Sequence, residues 1–378
     1  MLAGLGETWV ITSPYPKRDE ELEARLKEVP EGSRIHIVYA DIPRWIRRLL
    51  GEPREARLER LEYVLWQMAA LRAARQLQQQ HQFDLVWHLT WANVWIGSFA
   101  SLLGQPFVLG PVGGGVNPPW RLVPSLGVRG ATYEVIRAVA RGLARYLNPL
   151  GWITWSRARL ILVQNPETLE WLPKAHHSKT FVFPNVVLEE PPRPRTLGRT
   201  GEPTALFVGR LLPLKGVSFA IEAISLLPDW KLTICGAGPD EHRLERAAQK
   251  FGVEQRVHFL GWRPREEALR LMREDADVFL FPSLHDEGSW VVAEAVACGL
   301  PVVCLARGGP AVLAGDGVPA TTARETVQRL AEAVRTAGTR PLPAPPRTDL
   351  ESSRARLADL LRRAGLLGGA EASPTVES

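Results

Sequence analysis

The chain has 378 residues, of which 45% are hydrophobic and 23% are charged, as in an ordinary soluble globular protein. It has no run of eighteen or more apolar residues, which argues against a transmembrane helix, and no basic-then-apolar leader that would indicate a signal peptide. We therefore expect a cytoplasmic protein, and the length favours two domains over one.

The net charge of +5 is unevenly distributed along the chain. Residues 101–160 contain seven arginines and a single acidic residue, Glu134, and ten of the thirteen tryptophans precede residue 175. A basic half that is rich in tryptophan favours an anionic or interfacial partner. Because no nucleic-acid-reading motif accompanies the charge, we expect no nucleic-acid partner.

In the first half of the chain, short apolar runs predict strands and longer segments of helical period predict helices. The predicted strands are 7–12, 34–40, 83–89, 106–109, 158–163 and 180–183. The predicted helices are 17–27, 54–80, 93–103 and 131–147.

The predicted helix 131–147 is amphipathic, with an apolar face and an arginine stripe on another face. The apolar face consists of Val135, Ile136, Val139, Leu143 and Leu147, and the stripe of Arg137, Arg141 and Arg145. Such a helix can lie on an anionic membrane through its arginines. The alternative interpretation is a packed helix whose arginines are solvated.

Residues 184–203 combine proline, glycine and charge, which indicates a domain boundary. Beyond it strands alternate with helices, as in a parallel sheet covered on both faces. The predicted strands are 204–209, 231–235, 256–260, 277–282 and 301–305, and the predicted helices are 216–227, 240–251, 264–273, 290–298 and 323–337.

We expect an N-terminal α/β domain over 1–190 and a C-terminal α/β domain over 204–338. The remainder, 339–378, begins with a proline-rich segment. A helix predicted over 350–364 could return to the body of the protein, and a disordered tail follows it.

The three cysteines, Cys235, Cys298 and Cys304, lie in or beside apolar segments, so we expect reduced thiols in the core. The eight histidines are scattered, and the adjacent His176 and His177 lack the spacing of metal ligands. We interpret that pair as part of an exposed loop and predict no metal site.

The stretch 282–310, PSLHDEGSWVVAEAVACGLPVVCLARGGP, has the pattern strand, loop, helix, strand. In open parallel sheets such units bind ligands at the carboxyl ends of their strands. Two carboxylates, Asp286 and Glu294, flank a helix N-terminus, whose free N–H groups attract an anion. Carboxylates accept hydrogen bonds from hydroxyl groups, so the set suits a nucleotide sugar.

Two further strand-to-loop turns carry suitable groups. LFVGRLLPLKG ends a strand and presents Arg210 and Lys215, a cation pair suited to a diphosphate. ICGAGPD presents Gly236 and Gly238, which would let a nucleotide approach the backbone. A plain turn is the alternative interpretation of these two glycines.

The order of these segments resembles glycosyltransferase family 4, whose members are retaining enzymes of the GT-B fold, two facing doubly wound parallel-sheet domains. The resemblance is strong over 204–310 and looser before it. It implies that Arg210 and Lys215 bind the donor diphosphate, that Asp286 binds sugar hydroxyls and that Glu294 binds the ribose. The resemblance also implies that the backbone N–H groups of Gly288, Ser289 and Trp290 lie at the phosphates and that Gly236 and Gly238 lie at the nucleotide. It implies that His88 lies near the acceptor, that Gly113 and Gly114 belong to a cleft loop, and that Asn185 lies near the hinge.

The sequence departs from the family pattern in two places. The first acid of the family is usually glutamate, whereas Asp286 occupies that position here and Glu287 is a competing candidate. The family's first strand and its glycine-rich loop have no counterpart, because the segment ETWVIT resembles the second strand. We therefore expect an N-terminal domain that is truncated, either because the protein is shortened or because the start site is assigned too late. An absent central strand would leave an apolar gap in the N-terminal sheet.

The resemblance predicts transfer of a sugar from a nucleotide-diphosphate sugar to a hydroxyl of a glycan or lipid-linked sugar, in polysaccharide or glycolipid synthesis. It predicts no metal and no cofactor besides the donor substrate. The expected location is the cytoplasm, with peripheral attachment to the inner face of the cell membrane through 131–147. Alternatives are a non-catalytic nucleotide-sugar-binding homologue and a GT-B epimerase or phosphorylase.

Overall fold

The computed structural model describes residues 2–43, 46, 48, 59–89, 91, 93–188, 201–315, 326–337 and 348–367. These residues form an N-terminal and a C-terminal α/β half, each built on parallel strands. In the part of the chain so described, no helix is long and apolar enough to cross a membrane.

The strands of the N-terminal half are β1 (Thr8–Thr12), β2 (Ile35–Tyr39), β3 (Val86–His88), β4 (Phe107–Val112), β5 (Ala158–Val163) and β6 (Thr180–Val182). Its helices are α1 (Pro16–Glu28), α2 (Glu59–Gln80), α3 (Gly127–Leu147), α4 (Pro149–Arg157) and α5 (Pro166–Trp171).

The N-terminal strands form two sheets. β1 pairs with β2 in one sheet, and the other has the order β3-β4-β5-β6. A cavity of about 170 Å³ lies between β1 and β3, and its wall includes Trp9, Ile11, Leu71, Val86 and His88. The β1 edge and the β3 edge are therefore separated by an apolar space that contains no ladder hydrogen bonds.

Trp9 of β1 connects the two sheets. Its ring centroid lies 4.6 Å from that of His36 on β2, 4.7 Å from that of His81 and 5.2 Å from that of Phe83, both of which precede β3. The Phe83 contact is edge-on, a preferred arrangement of aromatic pairs. Aromatic packing thus replaces strand pairing at this junction.

The helix predicted over 93–103 is wrong. Asn93 forms a β-bridge with Gly113, and Val94 N–H donates to the Gly113 carbonyl at 2.8 Å. Only a short 3₁₀ helix, Phe99–Leu102, follows. Gln67 of α2 bonds the Gly97 carbonyl and the Phe99 N–H, so long-range hydrogen bonds satisfy the backbone that a helix would have used.

Helix α3 directs two of its arginines into the protein, whereas both interpretations placed the arginine stripe at the surface. Arg137 and Arg141 are buried, at 8% and 7% exposure, whereas the apolar face is exposed to solvent. The helix is amphipathic as predicted, but the solvated arginine stripe is wrong at these two positions. The physical reason is that the backbone carbonyls of Gly115 and Val116 beneath α3 accept hydrogen bonds from these arginines.

The strands of the C-terminal half are β7 (Thr204–Val208), β8 (Lys231–Cys235), β9 (Val257–Gly261), β10 (Val278–Phe281) and β11 (Val302–Cys304). Its helices are α6 (Val217–Ser225), α7 (Glu241–Lys250), α8 (Arg265–Arg270), α9 (Trp290–Ala297), α10 (Gly308–Ala314) and α11 (Thr326–Ala337).

The five C-terminal strands form one parallel sheet in the order β11-β10-β7-β8-β9. One apolar core covers this sheet, with Phe207, Phe279 and Phe281 fully buried. The strand order reverses direction between β7 and β10, and this switch point is where open α/β sheets bind their ligands.

The last helix, α12 (Leu350–Arg363), packs against the N-terminal half. Leu357 and Leu361 join the cluster that covers the face of the second sheet formed by Val108 and Leu160. Arg354 also pairs with Glu31 at 2.9 Å. The chain therefore crosses back after completing the C-terminal half.

All three cysteines are buried free thiols, as predicted. Burial raises the pKa of Cys298 to about 11 and raises the pKa of Cys235 and Cys304. Burial therefore lowers the reactivity of these thiols, since the thiolate is the reactive form.

Candidate functional site

Two loops meet at the switch point of the C-terminal sheet. The loop after β7 carries Arg210 and Lys215, and the loop after β10, residues 282–289, leads into α9. β7 and β10 are hydrogen-bonded neighbours, with Ala205 opposite Val278. Their carboxyl ends therefore bring the predicted cations and the acidic loop to one edge of the sheet.

Lys215 and Asp286 are in direct contact. Lys215 Nζ lies 2.6 Å from Asp286 Oδ2, and both side chains are largely buried, at 24% and 11% exposure. The ammonium also lies 5.4 Å from the Phe281 ring centroid, within cation–π range. Arg210 is exposed and makes no ion pair with another described residue, so its guanidinium is available to an anion.

Gly236 and Gly238 are required by backbone packing. A Cβ at Gly236, where φ is +155°, would overlap the Gly209 carbonyl, and one at Gly238 would overlap the Leu211 carbonyl. Leu211 N–H donates to the Ala237 carbonyl at 3.0 Å. The close contact fixes the loop that carries Arg210 against the turn after β8.

Helix α9 begins at the acidic loop with an unsatisfied polar group. Ser289, its N-cap, is 4% exposed, and its hydroxyl oxygen has no hydrogen-bond partner among the described residues. The first N–H groups of a helix also lack intrahelical partners. Trp290 follows and is half exposed. Unpartnered donors of this kind at a helix N-terminus attract anions.

Gly288 and the predicted hinge residue Asn185 lie close together. A Cβ at Gly288 would be 2.7 Å from Asn185 Oδ1 and 2.9 Å from Gln164 Oε1. Glycine is therefore the residue that lets the acidic loop approach the segment between the halves.

Glu294, about one turn into α9, is paired with a residue that sequence reasoning missed. Arg265 Nε, at the start of α8, donates to Glu294 Oε1 at 2.6 Å. Glu294 is 12% exposed and Arg265 is 53% exposed. The arginine thus covers the carboxylate from the solvent side.

Glu287, the competing acid, points into the N-terminal half. Its carboxylate accepts hydrogen bonds from Asn165 Nδ2 at 2.8 Å and from Val116 N–H at 3.3 Å, and it lies 3.4 Å from His285 Nε2. Burial opposes ionisation, but the hydrogen bonds from His285 and Asn165 outweigh it and hold the pKa of Glu287 below its ordinary value. Glu287 joins the two halves as an ionised carboxylate.

The predicted cleft loop receives this carboxylate. A Cβ at Gly113 would be 2.9 Å from the Cβ of Glu287, and the backbone of Gly114 donates a hydrogen bond to the same residue. Gly114 has φ of +104°, a conformation that favours glycine. The loop glycines thus make room for an acid from the opposite half.

Two arginines of α3 hold the loop from the other side. Arg141 Nη1 donates to the Gly115 carbonyl at 2.7 Å, and Arg137 Nη2 donates to the Val116 carbonyl at 3.0 Å. Arg137 also pairs with Glu134 at 2.7 Å. Burial lowers the pKa of Arg141 to about 10, so the guanidinium is charged at neutral pH. These contacts explain why the arginines face inward.

A second contact joins the halves at the start of α10. Gly308 N–H donates to Glu167 Oε1 at 2.9 Å, and Arg307 Nη1 donates to the Asn117 carbonyl. Gly308 has φ of +64° and packs against the Asp286 carbonyl. The turn after β11 therefore packs against the acidic loop and supports it.

His88 lies on the wall of the cavity between β1 and β3. Its Nδ1 lies 2.8 Å from Ser98 Oγ, and its Nε2 lies 3.1 Å from Tyr63 Oη. Both ring nitrogens thus have hydroxyl partners. His176, predicted in an exposed loop, is instead 7% exposed, and burial lowers its pKa.

Sequence reasoning missed the interdomain residues Asn165, Glu167 and Arg307. The segment Asn165-Pro-Glu167 carries a local signal, since asparagine before proline marks a helix start and Asn165 does cap α5. Its partner, Glu287, is 122 residues away, and no local pattern indicates that contact. In the part of the chain that the structure describes, no cluster of three potential metal ligands occurs.

The chain resembles known proteins at the level of sequence over only part of its length. Residues 190–350 match the family model of the glycosyl transferases group 1. D-inositol 3-phosphate glycosyltransferase of Mycobacterium sp. (strain KMS) is 38% identical over 124 residues, which cover 31% of this chain and 28% of the relative. 2-Deoxystreptamine glucosyltransferase of Streptomyces kanamyceticus is 32% identical over 176 residues, 43% of each chain. The matches span less than half the length of these relatives.

Solved structures resemble nearly the whole chain in fold. The lipopolysaccharide outer core galactosyltransferase WaaB, apo form, has a TM-score of 0.61 at 13% identity, covering 94% of this chain and 99% of that chain. Sucrose-phosphate synthase from Thermosynechococcus elongatus has a TM-score of 0.54 at 16% identity, covering 95% and 98%. Anabaena HepE in complex with UDP has a TM-score of 0.52 at 16% identity, covering 94% and 99%. The predicted GT-B fold, with two α/β domains, is confirmed.

Proposed function

We propose that this protein is a retaining glycosyltransferase of family 4 that moves a sugar from a nucleotide-diphosphate sugar to a hydroxyl group. One observation carries the proposal. Arg210, Lys215, Asp286 and the unpartnered Ser289 hydroxyl belong to the two loops that meet at the switch point of the C-terminal sheet. Cations, a helix N-terminus and carboxylates at one sheet edge match the chemistry of a diphosphate joined to polyols.

In this proposal the donor diphosphate binds between Arg210 and the start of α9. Arg210 and Lys215 stabilise the negative charge that develops on the diphosphate as the bond to the sugar breaks. The Ser289 hydroxyl and the N–H groups of Gly288 and Trp290 donate to the same oxygens. The Lys215–Asp286 ion pair keeps the ammonium oriented before the donor arrives.

The carboxylates bind hydroxyl groups of the donor. Asp286 accepts hydrogen bonds from the sugar and Glu294 from the ribose, while the turn containing Gly236 and Gly238 lies under the nucleotide. Glu287 is the weaker candidate for a sugar contact, because Asn165, Val116 and His285 already engage its carboxylate. Among the solved structures of similar fold, HepE was determined with UDP and with UDP-glucose, which supports a nucleotide donor.

The acceptor is a hydroxyl of a glycan or of a lipid-linked sugar, in polysaccharide or glycolipid synthesis. We assign the acceptor side to the N-terminal half, with Gly113 and Gly114 in the cleft, Asn185 near the hinge and His88 closer to the acceptor. The reaction needs no metal ion in this proposal, since two cations serve the leaving group. The protein acts in the cytoplasm, at the inner face of the membrane.

The experiment is a donor screen followed by two substitutions. Purified full-length protein is tested for binding and hydrolysis of a panel of nucleotide-diphosphate sugars. Arg210→Ala and Lys215→Ala are each expected to lower turnover by about 100-fold or more, because each removes a charge that stabilises the leaving group. Arg246→Ala and Lys250→Ala, which change exposed cations of α7, are matched controls.

Retained turnover in both site variants would refute the assignment of the donor site. Binding of a nucleotide sugar without transfer or hydrolysis would indicate the non-catalytic homologue instead. Consumption of inorganic phosphate with release of a sugar 1-phosphate from a sugar chain would indicate a phosphorylase.

A further inference from the structure

A stack of three aromatic rings lies where α2 meets the end of β3. Trp66 and Tyr63 of α2 have ring centroids 5.8 Å apart, and the centroid of Trp91, which follows β3, lies 4.8 Å from that of Tyr63 with an interplanar angle of 13°. Tyr63 is 6% exposed, whereas Trp91 is 36% exposed. Because Tyr63 covers one face of the Trp91 indole, the exposed area belongs to the opposite face and the ring edge.

Hydrogen bonds fix the two inner rings of this stack. Trp66 donates its indole N–H to the Ala40 carbonyl at 2.9 Å, and Tyr63 Oη lies 3.1 Å from His88 Nε2. His88 Nδ1 in turn lies 2.8 Å from Ser98 Oγ. The outer ring therefore rests on a rigid support, which lowers the entropy cost of holding a ligand against it.

The backbone of Trp91 is in the left-handed region, with φ of +47°. In the part of the chain that the structure describes, it is the only residue other than glycine with a positive φ. That conformation is unfavourable for a bulky side chain, and residues held in it concentrate at functional sites. Stacking on Tyr63 compensates for the strain and holds the indole in place.

Trp91 lies at the edge of the cleft. β3 and β4 are parallel neighbours, so the segment after β3 and the loop after β4 leave the sheet on the same side. Asn93, two residues beyond Trp91, forms a β-bridge with Gly113 of the cleft loop, and Gly113 packs against Glu287 from the C-terminal half. The exposed indole is therefore close to the place where the two halves meet.

A flat aromatic face of this kind suits the ring of a sugar. The face of an indole carries partial negative charge, and the C–H groups on one side of a pyranose carry partial positive charge, so the two attract each other. Burial of the apolar C–H face adds to this attraction. The hydroxyl groups of the sugar project from the ring edge, where they stay available to water and to polar neighbours.

We propose that Trp91 is a binding platform for the acceptor, and that this acceptor presents a pyranose ring whose C–H face stacks on the indole. The assignment to the acceptor rests on the proposed function, whereas the binding of a pyranose to Trp91 stands without it. A nucleobase can also stack on an indole, but the proposed nucleotide site lies in the C-terminal half, at Gly236 and Gly238. The platform holds the acceptor ring at the cleft before transfer.

Saturation-transfer difference NMR of the full-length protein tests the binding without a donor. The probes are methyl β-D-glucopyranoside and methyl β-D-galactopyranoside, each of which carries several C–H groups on one ring face. We expect saturation to reach mainly the C–H protons of one face, and Trp91→Leu to weaken binding by about tenfold. Trp91→Phe keeps an aromatic face and should bind within about threefold of the wild type. Trp152→Leu, at a tryptophan of α4 that is 37% exposed, is the matched control and should bind like the wild type.

Kinetics with a donor from the nucleotide-sugar panel test the assignment to the acceptor. Trp91→Leu is expected to raise the KM for a glycoside acceptor by about tenfold and to change kcat less, because the platform binds the acceptor and does not contact the reacting bond. Weaker binding of the nucleotide sugar in Trp91→Leu would show that the indole stacks on the base, and would overturn the assignment.

Far-UV circular dichroism and the thermal midpoint verify that the variants fold. Wild-type protein that binds neither glycoside would overturn the proposal, as would unchanged binding in Trp91→Leu or an equal loss in Trp152→Leu. Failure of the proposed function has a different signature. The wild type would then turn over no nucleotide sugar, while the glycosides would still bind and Trp91→Leu would still weaken their binding.

Discussion

The two halves of this protein differ in what their interiors contain. The C-terminal half has one five-stranded sheet in one apolar core. The N-terminal half has two sheets separated by a cavity, and it buries a glutamate and two arginines, Glu134, Arg137 and Arg141. An apolar core tolerates exchange among apolar side chains of similar volume, whereas a buried ion requires a particular partner.

This difference predicts where each half is sensitive. Both halves contain glycines at which backbone segments touch. The N-terminal half adds buried ion pairs and receives the carboxylate of Glu287 from the other half.

Arg137→Met is expected to lower the free energy of unfolding by about 3–5 kcal/mol, because it leaves Glu134 buried and unpaired. Tryptophan fluorescence during urea unfolding measures this, since ten of the thirteen tryptophans precede residue 175. Arg335→Met is the matched control. It breaks an exposed pair with Glu332 at the same three-residue spacing and should cost less than about 1 kcal/mol.

Neutralising Glu134 tests the cause of that effect. Glu134→Gln combined with Arg137→Met should recover part of the lost stability, since residue 134 is then no longer a buried, unpaired charge. Equal destabilisation by Arg137→Met and Arg335→Met would contradict the contrast between the two halves.

Gly236→Ala is expected to destabilise the C-terminal half by about 3 kcal/mol, because the added methyl group meets the Gly209 carbonyl and the backbone conformation disfavours a side chain. Gly252→Ala is the control, since that residue also has a positive φ but faces open space. The control should cost only about 1–2 kcal/mol for its backbone conformation. A Gly252→Ala effect as large as that of Gly236→Ala would disprove the close contact.

Glu287→Gln is expected to cost about 1.5–3 kcal/mol at pH 7, because the hydrogen bonds to its carboxylate are charge-assisted. The folded pKa lies below the ordinary value, so the charged form contributes stability above about pH 4.3, and this contribution is lost as the pH falls through the folded pKa. Urea titrations of the wild type and of Glu287→Gln between neutral and acidic pH measure the difference between their free energies of unfolding.

The difference in free energy of unfolding between the wild type and Glu287→Gln should become smaller below about pH 4.3. A difference that stayed constant with pH would show that the Glu287 carboxylate is not held ionised between the halves. Glu245→Gln, on the exposed side of α7, serves as the control and should change little at any pH.

Glu294→Gln is expected to have the smallest effect on folding, under about 1 kcal/mol, because its partner Arg265 is half exposed. Its effect on ligand binding should be larger, with about a tenfold loss of nucleotide affinity in calorimetry if the ribose hydrogen-bonds an ionised carboxylate. Glu332→Gln, in an exposed pair of the same half, is the control. Unchanged nucleotide affinity in Glu294→Gln would count against the ribose contact.

Much of the C-terminal half was predictable from sequence. Each strand there is a short apolar run followed by a turn, and the predicted strand 231–235 agrees with β8 at both ends. The resemblance indicated Arg210, Lys215 and Asp286, and parallel strands bring them to one edge because their carboxyl ends align. Local periodicity and strand order suffice for such a site.

The N-terminal half was predictable only in part. The amphipathic period of α3 was evident, but a hydrophobic period does not reveal which face is buried when the opposing face carries arginines. The carbonyls of Gly115 and Val116 decided it, since buried backbone acceptors need donors and the guanidinium groups supply them. Likewise, the segment 93–103 had helical composition, yet hydrogen bonds to Gln67 and Gly113 replaced the helix.

The sequence by itself determined the two α/β halves, the parallel C-terminal sheet and the groups at its carboxyl edge, because these follow from patterns within a few residues. The tertiary structure alone decided that Glu287 joins the halves, that Arg265 covers Glu294 and that α3 exposes its apolar face. Each of these depends on a polar contact between residues about 20 to 170 positions apart, and no local pattern encodes the partner.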